Sequence, residues 1–166
     1  VAAVLAVGGR AVTQAVRDEP PAQRSVAVPA PSASPGTAED GPLRADGAVD
    51  PHSNEFWAQS NVTLETAAEL DALTVRLRVS LSGGVTSTGA WRSLPETDFT
   101  LDVAERAGFL VYTWTLKEGR TVPAGTWVFA GQYDHDRGGR DASGDDWTAY
   151  GGTRARELSV TGGFTP

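Results

Sequence analysis

The chain has 166 residues, a net charge of −7, and neither cysteine nor methionine. This length supports one domain of ordinary size. The acidic charge argues against nucleic acid and against anionic membrane surfaces as partners, because both attract basic proteins. Without cysteine the chain can form no disulfide and has no thiolate chemistry.

The chain begins with small apolar residues, and a long stretch rich in proline, alanine and serine follows. We interpret residues 1–17 as the remnant of a signal peptide or membrane anchor; an amphipathic helix is the alternative. Residues 18–54 contain frequent prolines and few large apolar side chains. Such a segment cannot bury enough surface to offset its ordering entropy, so it is predicted to be a disordered linker. Together the two segments predict an exported domain, extracellular or at the cell surface, that meets a membrane only through this N-terminal anchor.

In residues 55–166, apolar and polar residues alternate in short runs that glycine and proline interrupt. Every second residue from Leu73 to Leu81 is apolar, and the run from Phe99 to Val103 repeats this pattern. Alternation of this kind is typical of half-buried strands. The spacing predicts an all-β fold, an antiparallel immunoglobulin-like sandwich of about seven strands. The predicted strands cover 61–66, 72–82, 97–104, 109–116, 126–133, 146–150 and 155–161.

The middle of the domain carries a family resemblance. Residues 110–116 read Leu-Val-Tyr-Thr-Trp-Thr-Leu, and residues 119–129 follow with a glycine, a Val-Pro-Ala-Gly turn and a second tryptophan. This stretch resembles bacterial extracellular immunoglobulin-like and cellulose-binding-type β-sandwich modules. The resemblance implies a sandwich fold and a role in binding. The absence of isoleucine and the single lysine favour a GC-rich, actinobacterial-type source.

An acidic, glycine-rich loop lies between the predicted strands 126–133 and 146–150. Calcium prefers several oxygen ligands on a flexible loop of this kind. The sequence therefore makes calcium a candidate cofactor, and no other cofactor is predicted. The alternative is a solvated loop in which arginines of the same segment pair with the acids. The candidate ligands are Asp134, Asp136, Asp141 and Asp145.

Aromatic residues near strand ends are the candidate ligand contacts. Trp91, Tyr133 and Trp147 are predicted to contact a ligand, because exposed rings stack on sugars and are common in protein interfaces. The alternative places these rings in the core, where large aromatics dominate the packing of sandwiches.

We find no nucleophile elbow and no other catalytic signature, so the chain is predicted not to be an enzyme. The sequence favours a non-catalytic binding module, tethered to the cell envelope, whose partner is a glycan or an envelope protein. Two alternatives stay open. One is a purely structural envelope domain without a ligand, and the other is a small secreted hydrolase that uses acids of loop 134–146.

Overall fold

A computed structural model of the chain describes residues 36–165. The prediction for residues 1–17, and for the part of the linker before residue 36, lies outside the described residues. A short 3-10 turn, Glu96–Asp98, precedes strand β6. The strands are β1 (Ala38–Asp40), β2 (Leu43–Val49), β3 (Trp57–Thr66), β4 (Ala72–Ser80), β5 (Thr86–Arg92), β6 (Phe99–Arg106), β7 (Phe109–Leu116), β8 (Gly125–Asp134), β9 (Asp146–Gly152) and β10 (Glu157–Gly163).

The strands form two five-stranded sheets in which all neighbours are antiparallel. The first sheet has the order β1-β2-β3-β8-β5, and the second has the order β10-β9-β4-β7-β6. The predicted all-β, immunoglobulin-like sandwich is therefore confirmed. Over residues 36–165 no helix is long and apolar enough to cross a membrane.

The core lies between the sheets and is centred on aromatic side chains. Trp114 of β7 meets Phe129 of β8 edge to face, with ring centroids 5.6 Å apart, and stacks on Tyr112 at 6.0 Å. All three rings are completely buried. Each such ring buries a large apolar area, and aromatic pairs add about 0.5–1.5 kcal/mol beyond that area. The alternation in β4 and β7 thus reflects one fully buried face of each strand.

The folded domain begins earlier than predicted. Strands β1 and β2 lie inside residues 18–54, which the sequence assigned to a disordered linker. The sequence did not predict β2 as a strand because its inward residues are small. A Cβ added to Gly47 would lie 2.4 Å from Nε1 of Trp147, so the large ring fills the space that β2 leaves. A strand whose inward positions are leucine, alanine and glycine carries a weak apolar pattern, and the prolines nearby hide it.

Strand β5 is also additional to the predicted strands, because residues 86–90 are small or polar and the strand contains a bulge between Ser87 and Gly89. A tight turn at Ala107 and Gly108 joins β6 to β7. Ala107 and Gly108 both have positive φ, 49° and 83°. Such a pair is typical of the two-residue turn whose twist matches antiparallel strands.

Candidate functional site

Of the three aromatic residues predicted as ligand contacts, only Trp91 lies on the surface. Its side chain is 37% exposed, whereas Tyr133 and Trp147 are fully buried. The prediction for these two is therefore wrong. Tyr133 points into the sandwich, where its hydroxyl lies 2.8 Å from Oγ of Ser60. Trp147 fills the core so closely that a Cβ on Gly162 would lie 2.4 Å from its ring.

The four aspartates predicted as calcium ligands do not converge. In the described part of the chain, no three acidic, histidine or cysteine side chains are placed to hold a metal ion. Calcium needs at least six oxygens around one point, so the predicted site is wrong. One of these residues ends strand β8, and the others follow in the loop between β8 and β9. They are Asp134, Asp136, Asp141 and Asp145.

Arginine takes the role that a metal ion would have in this loop. The side chain of Asp145 is completely buried, and both of its oxygens accept hydrogen bonds from Nη2 of Arg140, at 2.6 and 2.8 Å. The N–H of Ser80 donates a third bond at 2.8 Å. Burial raises the pKa of the Asp145 carboxyl to about 6, against the opposing effects of Ser80 and Arg140. The Asp145 carboxylate therefore attaches the loop to the second sheet, through Arg140 of the loop and Ser80 of β4.

The surface around Trp91 is the outer face of the first sheet. Inward residues of β8, such as Phe129, pack in the core, so the alternate residues face solvent. The register places Ala130 of β8 between Asn61 of β3 and Trp91 of β5. One step along, Gln132 lies between Gln59 and a glycine. We call this surface the Trp91 platform, defined by Gln59, Asn61, Trp91, Ala130 and Gln132.

The indole of Trp91 lies across strand β8. Its Nε1–H donates a hydrogen bond to Oε1 of Gln59 at 3.2 Å, although the two residues belong to strands on opposite sides of β8. Strands that flank a third strand are about 9.6 Å apart, so the ring must extend over the strand between them. Ala130, an outward-facing residue, is consequently 0% exposed. The indole therefore extends over β8, and Trp91 is still 37% exposed.

Amide side chains fix the ring and line its border. Oε1 of Gln59 also accepts a hydrogen bond from Nε2 of Gln132 at 2.8 Å. Nε2 of Gln59 donates to Oδ1 of Asn61 at 2.8 Å, and Asn61 in turn donates to the Asp50 carboxylate at 3.3 Å. Because Gln59 is only 8% exposed, its bonds hold the network in one arrangement. The platform is therefore a preorganised aromatic surface bordered by polar groups.

A second indole lies on the same face. Trp57 of β3 is in register with Asp134 of β8 and with Thr86 of β5. Its Nε1–H donates to Oγ1 of Thr88 at 3.3 Å, so this ring also reaches from β3 towards β5. The register positions of the two rings on β8 differ by four residues, or roughly 13 Å along the strand. A ligand that touched both rings would have to be elongated.

The electrostatic character of this face is acidic. Asp50 accepts hydrogen bonds from the backbone N–H and from Nδ1 of His52, at 2.8 and 2.9 Å. These bonds hold the pKa of the Asp50 carboxyl below its usual value, so it is ionised at neutral pH. Asp134 is exposed on the same face. Fixed carboxylates favour hydroxyl donors and disfavour anionic ligands.

Gln59, Asn61, Gln132 and Asp50 were not among the predicted site residues. The sequence pointed only to Gln132, because it alternates with the aromatic residues of the predicted strand 126–133 and so was expected to face solvent. Gln59 and Asn61 gave no specific signal, since polar residues that alternate with apolar ones occur in any half-exposed strand. Asp50 fell within the predicted linker.

Comparisons with known proteins support the fold. No protein-family model and no curated protein matches the sequence. Among solved structures, the chain is similar to the full-length major pilin SpaD from Corynebacterium diphtheriae, with a TM-score of 0.51 and 10% identity over 74% of this chain and 34% of the pilin. It is also similar to a cohesin module from a family 33 glycoside hydrolase of Clostridium perfringens, with a TM-score of 0.45 and 7% identity over 73% of this chain and 96% of the module.

A third similar structure is a GH20 exo-β-N-acetylglucosaminidase from Vibrio harveyi, with a TM-score of 0.45 and 11% identity over 75% of this chain and 18% of the enzyme. The chain therefore spans less than a fifth of the enzyme and about a third of the pilin. At 10% identity the likeness to the pilin concerns the fold alone, and it agrees with the two-sheet β-sandwich of this chain.

Proposed function

We propose that this domain is a non-catalytic binding module, tethered outside the cell by the chain before residue 36, and that the Trp91 platform binds a glycan. The observation that carries the proposal is the indole of Trp91, which reaches across β8 to Gln59 on the outer face of the first sheet while the residue stays 37% exposed. A sugar ring has an apolar face of C–H groups that stacks on such a surface. Its hydroxyls then reach the amides and carboxylates at the border.

The polar border favours a glycan over a protein ligand. Protein interfaces place their aromatic anchors in desolvated, mostly apolar centres. Here, in contrast, the exposed indole is surrounded by the side chains of Gln132, Asn61 and Asp50, which offer donors and acceptors at its border. Because Asp50 and Asp134 add negative charge, the favoured ligand is a neutral, elongated polysaccharide. An acidic polymer would be repelled.

Binding to insoluble and soluble polysaccharides tests this proposal. Wild-type chain is titrated against neutral polysaccharides (cellulose, chitin and xylan) and against an acidic one (pectate). Trp91→Ala should weaken binding at least about tenfold, or about 1.4 kcal/mol, because the stacking surface is lost. The matched control is Tyr150→Ala, since Tyr150 is 49% exposed but lies on β9 of the second sheet. Equal loss of binding in both variants, or binding to pectate alone, would contradict the proposal.

The extracellular location is a separate part of the proposal. It is supported by the apolar residues 1–7 and the proline-rich stretch that follows. Protease treatment of intact cells that express the chain tests it. A surface-exposed domain is digested without lysis, whereas protection until lysis would oppose this location.

A further inference from the structure

We propose that strand β6 is a self-association edge, at which two copies of this chain join their second sheets antiparallel into one continuous sheet. The motivating observation is that the other sheet edges between residues 36 and 165 are shortened or blocked. Strand β1 has three residues, and β5 contains a bulge. On β10, the N–H of Ser159 is bound by the Asp40 carboxylate at 2.9 Å. Strand β6 is eight residues long, and its ladder with β7 runs without a register shift.

The free backbone groups of β6 can be assigned from its pairing with β7. Lys117 donates its N–H to the carbonyl of Asp98 at 2.8 Å, so this opposed pair is hydrogen-bonded. Hydrogen-bonded and non-hydrogen-bonded pairs alternate along an antiparallel ladder. Leu101, Val103 and Glu105 therefore turn their N–H and C=O groups away from β7, towards the open edge. Unpaired groups of this kind are a template for another strand.

Two apolar side chains accompany these backbone groups. Leu101 and Val103 lie opposite Trp114 and Tyr112, so they belong to the inner face of the second sheet. They are nevertheless 41% and 39% exposed, whereas Trp114 and Tyr112 are completely buried. The first sheet does not cover them. A strand added to β6 would continue the inner face and shield both side chains from water.

The charges of β6 are complementary to those of a second copy in one antiparallel register. If Ala104 lies opposite Ala104 of the second copy, Asp102 faces Arg106 of that copy, and the two-fold axis repeats the pair. In the same register Val103 of each copy lies opposite Glu105 of the other copy, and their backbone groups form hydrogen-bonded pairs between the two β6 strands. In the single chain, Arg106 pairs instead with Asp102 at 3.3 Å, with both side chains more than 60% exposed. An interface whose two sides are the same patch closes at two copies.

This arrangement has a consequence that rests on the proposed function. The two-fold axis of a sheet continued in this way is perpendicular to the sheet, so both copies of the first sheet lie on the same side. Both Trp91 platforms then face in one direction. A polysaccharide could engage two platforms at once, which raises its apparent affinity through the effective concentration of the second site.

Sedimentation velocity of the full chain without ligand tests the self-association, independently of any glycan. The wild-type sedimentation coefficient should rise with concentration towards that of a dimer. Asp102→Arg should weaken association at least about tenfold, because it opposes two arginines at the seam. Arg106→Asp should do the same by opposing two aspartates. Equal amounts of these two variants should associate with each other, since each arginine then faces an aspartate.

The matched control is Glu39→Arg, which disrupts an exposed ion pair with Arg44 on β1 and β2 and should leave association unchanged. Thermal melts of each variant establish that it is folded. A wild type that stays monomeric up to about millimolar concentration would overturn the proposal. Failure of the two variants to associate with each other, while each is folded, would overturn the register. Loss of glycan binding would leave these results unaffected.

Discussion

Replacing Arg140 by methionine removes the partner of a buried carboxylate. The side chains of Arg140 and Asp145 are 7% and 0% exposed, and two hydrogen bonds of 2.6 and 2.8 Å join them. In the variant only the Ser80 N–H, 2.8 Å from Oδ1, still binds the carboxylate. Removing one partner of a buried ion pair costs about 3–5 kcal/mol, and two lost bonds to a charged group cost a similar amount. We expect the free energy of unfolding at neutral pH to fall by about 3 kcal/mol or more.

The loss should become smaller at acidic pH. Burial raises the pKa of Asp145 to about 6 in the wild type, and removing Arg140 raises the pKa of this carboxyl further. A carboxyl whose pKa is higher in the folded state than in the unfolded state, where it is about 3.9, stabilises the fold most when protonated. That contribution is lost as the pH rises through the folded-state pKa. Between pH 5 and pH 7.5 the deficit should therefore grow by about 1 kcal/mol or more, since one pKa unit is about 1.4 kcal/mol.

Urea unfolding at pH 5 and pH 7.5, followed by tryptophan fluorescence, measures both effects. Comparison with wild type at each pH cancels the titration of other groups. The matched control is Arg137→Met, because Arg137 pairs with Glu55 at the surface, where the side chains are 76% and 63% exposed. An exposed pair contributes about 0–1 kcal/mol. If Arg140→Met unfolds like the control, or if its deficit is the same at both pH values, the buried pair does not lock the loop.

Three further substitutions test the packing and the surface. Gly162→Ala should lower the free energy of unfolding in urea by about 1–3 kcal/mol, because its Cβ would lie 2.4 Å from the ring of Trp147; unchanged stability would mean that the ring moves freely. Ser60→Ala should cost about 1–3 kcal/mol in the same assay, since it leaves the buried hydroxyl of Tyr133 without its partner. Trp91→Ala should lower the free energy of unfolding by less than the roughly 3–5 kcal/mol that is typical for a core aromatic, because its indole lies outside the sandwich. A loss of about 3–5 kcal/mol would place Trp91 in the core.

The sequence predicted those strands whose inward residues are large. Leu73 to Leu81 and the aromatic run of β7 alternate strongly because one face of each strand is buried, and both were found. Strand β2 was missed, since its inward Gly47 derives its burial from Trp147, a residue far away in the chain. Strand β5 was missed because an edge strand with a bulge needs no continuous alternation. Local patterns therefore reveal strands whose inward residues are large and alternate, and they miss strands whose inward residues are small or whose alternation a bulge interrupts.

The candidate site was less predictable than the fold. The sequence does not distinguish Trp91 from Trp147. Which face of its strand each tryptophan occupies depends on the alternation of side chains along the strand, and this places Trp91 outside and Trp147 inside the sandwich. The platform also depends on a hydrogen bond between Trp91 and Gln59, residues 32 positions apart. Similarly, the acidic loop matched the composition of a calcium site, but Arg140 competes for Asp145 within the same loop. Such choices depend on tertiary geometry, which composition does not encode.

The indole N–H resonances of the five tryptophans give the most direct test of the proposed binding face. In a two-dimensional 15N–1H NMR spectrum of the chain, each resonance is assigned by substitution and followed while a soluble oligosaccharide of the polysaccharide that binds best is added. The resonance of Trp91 should shift in a saturable way, accompanied by the side-chain amides of Gln59 and Gln132. The buried indoles of Trp114 and Trp147 should stay unchanged. Saturable shifts confined to residues of the second sheet, or an unchanged Trp91 resonance at saturation, would contradict the assignment of the Trp91 platform as the binding site.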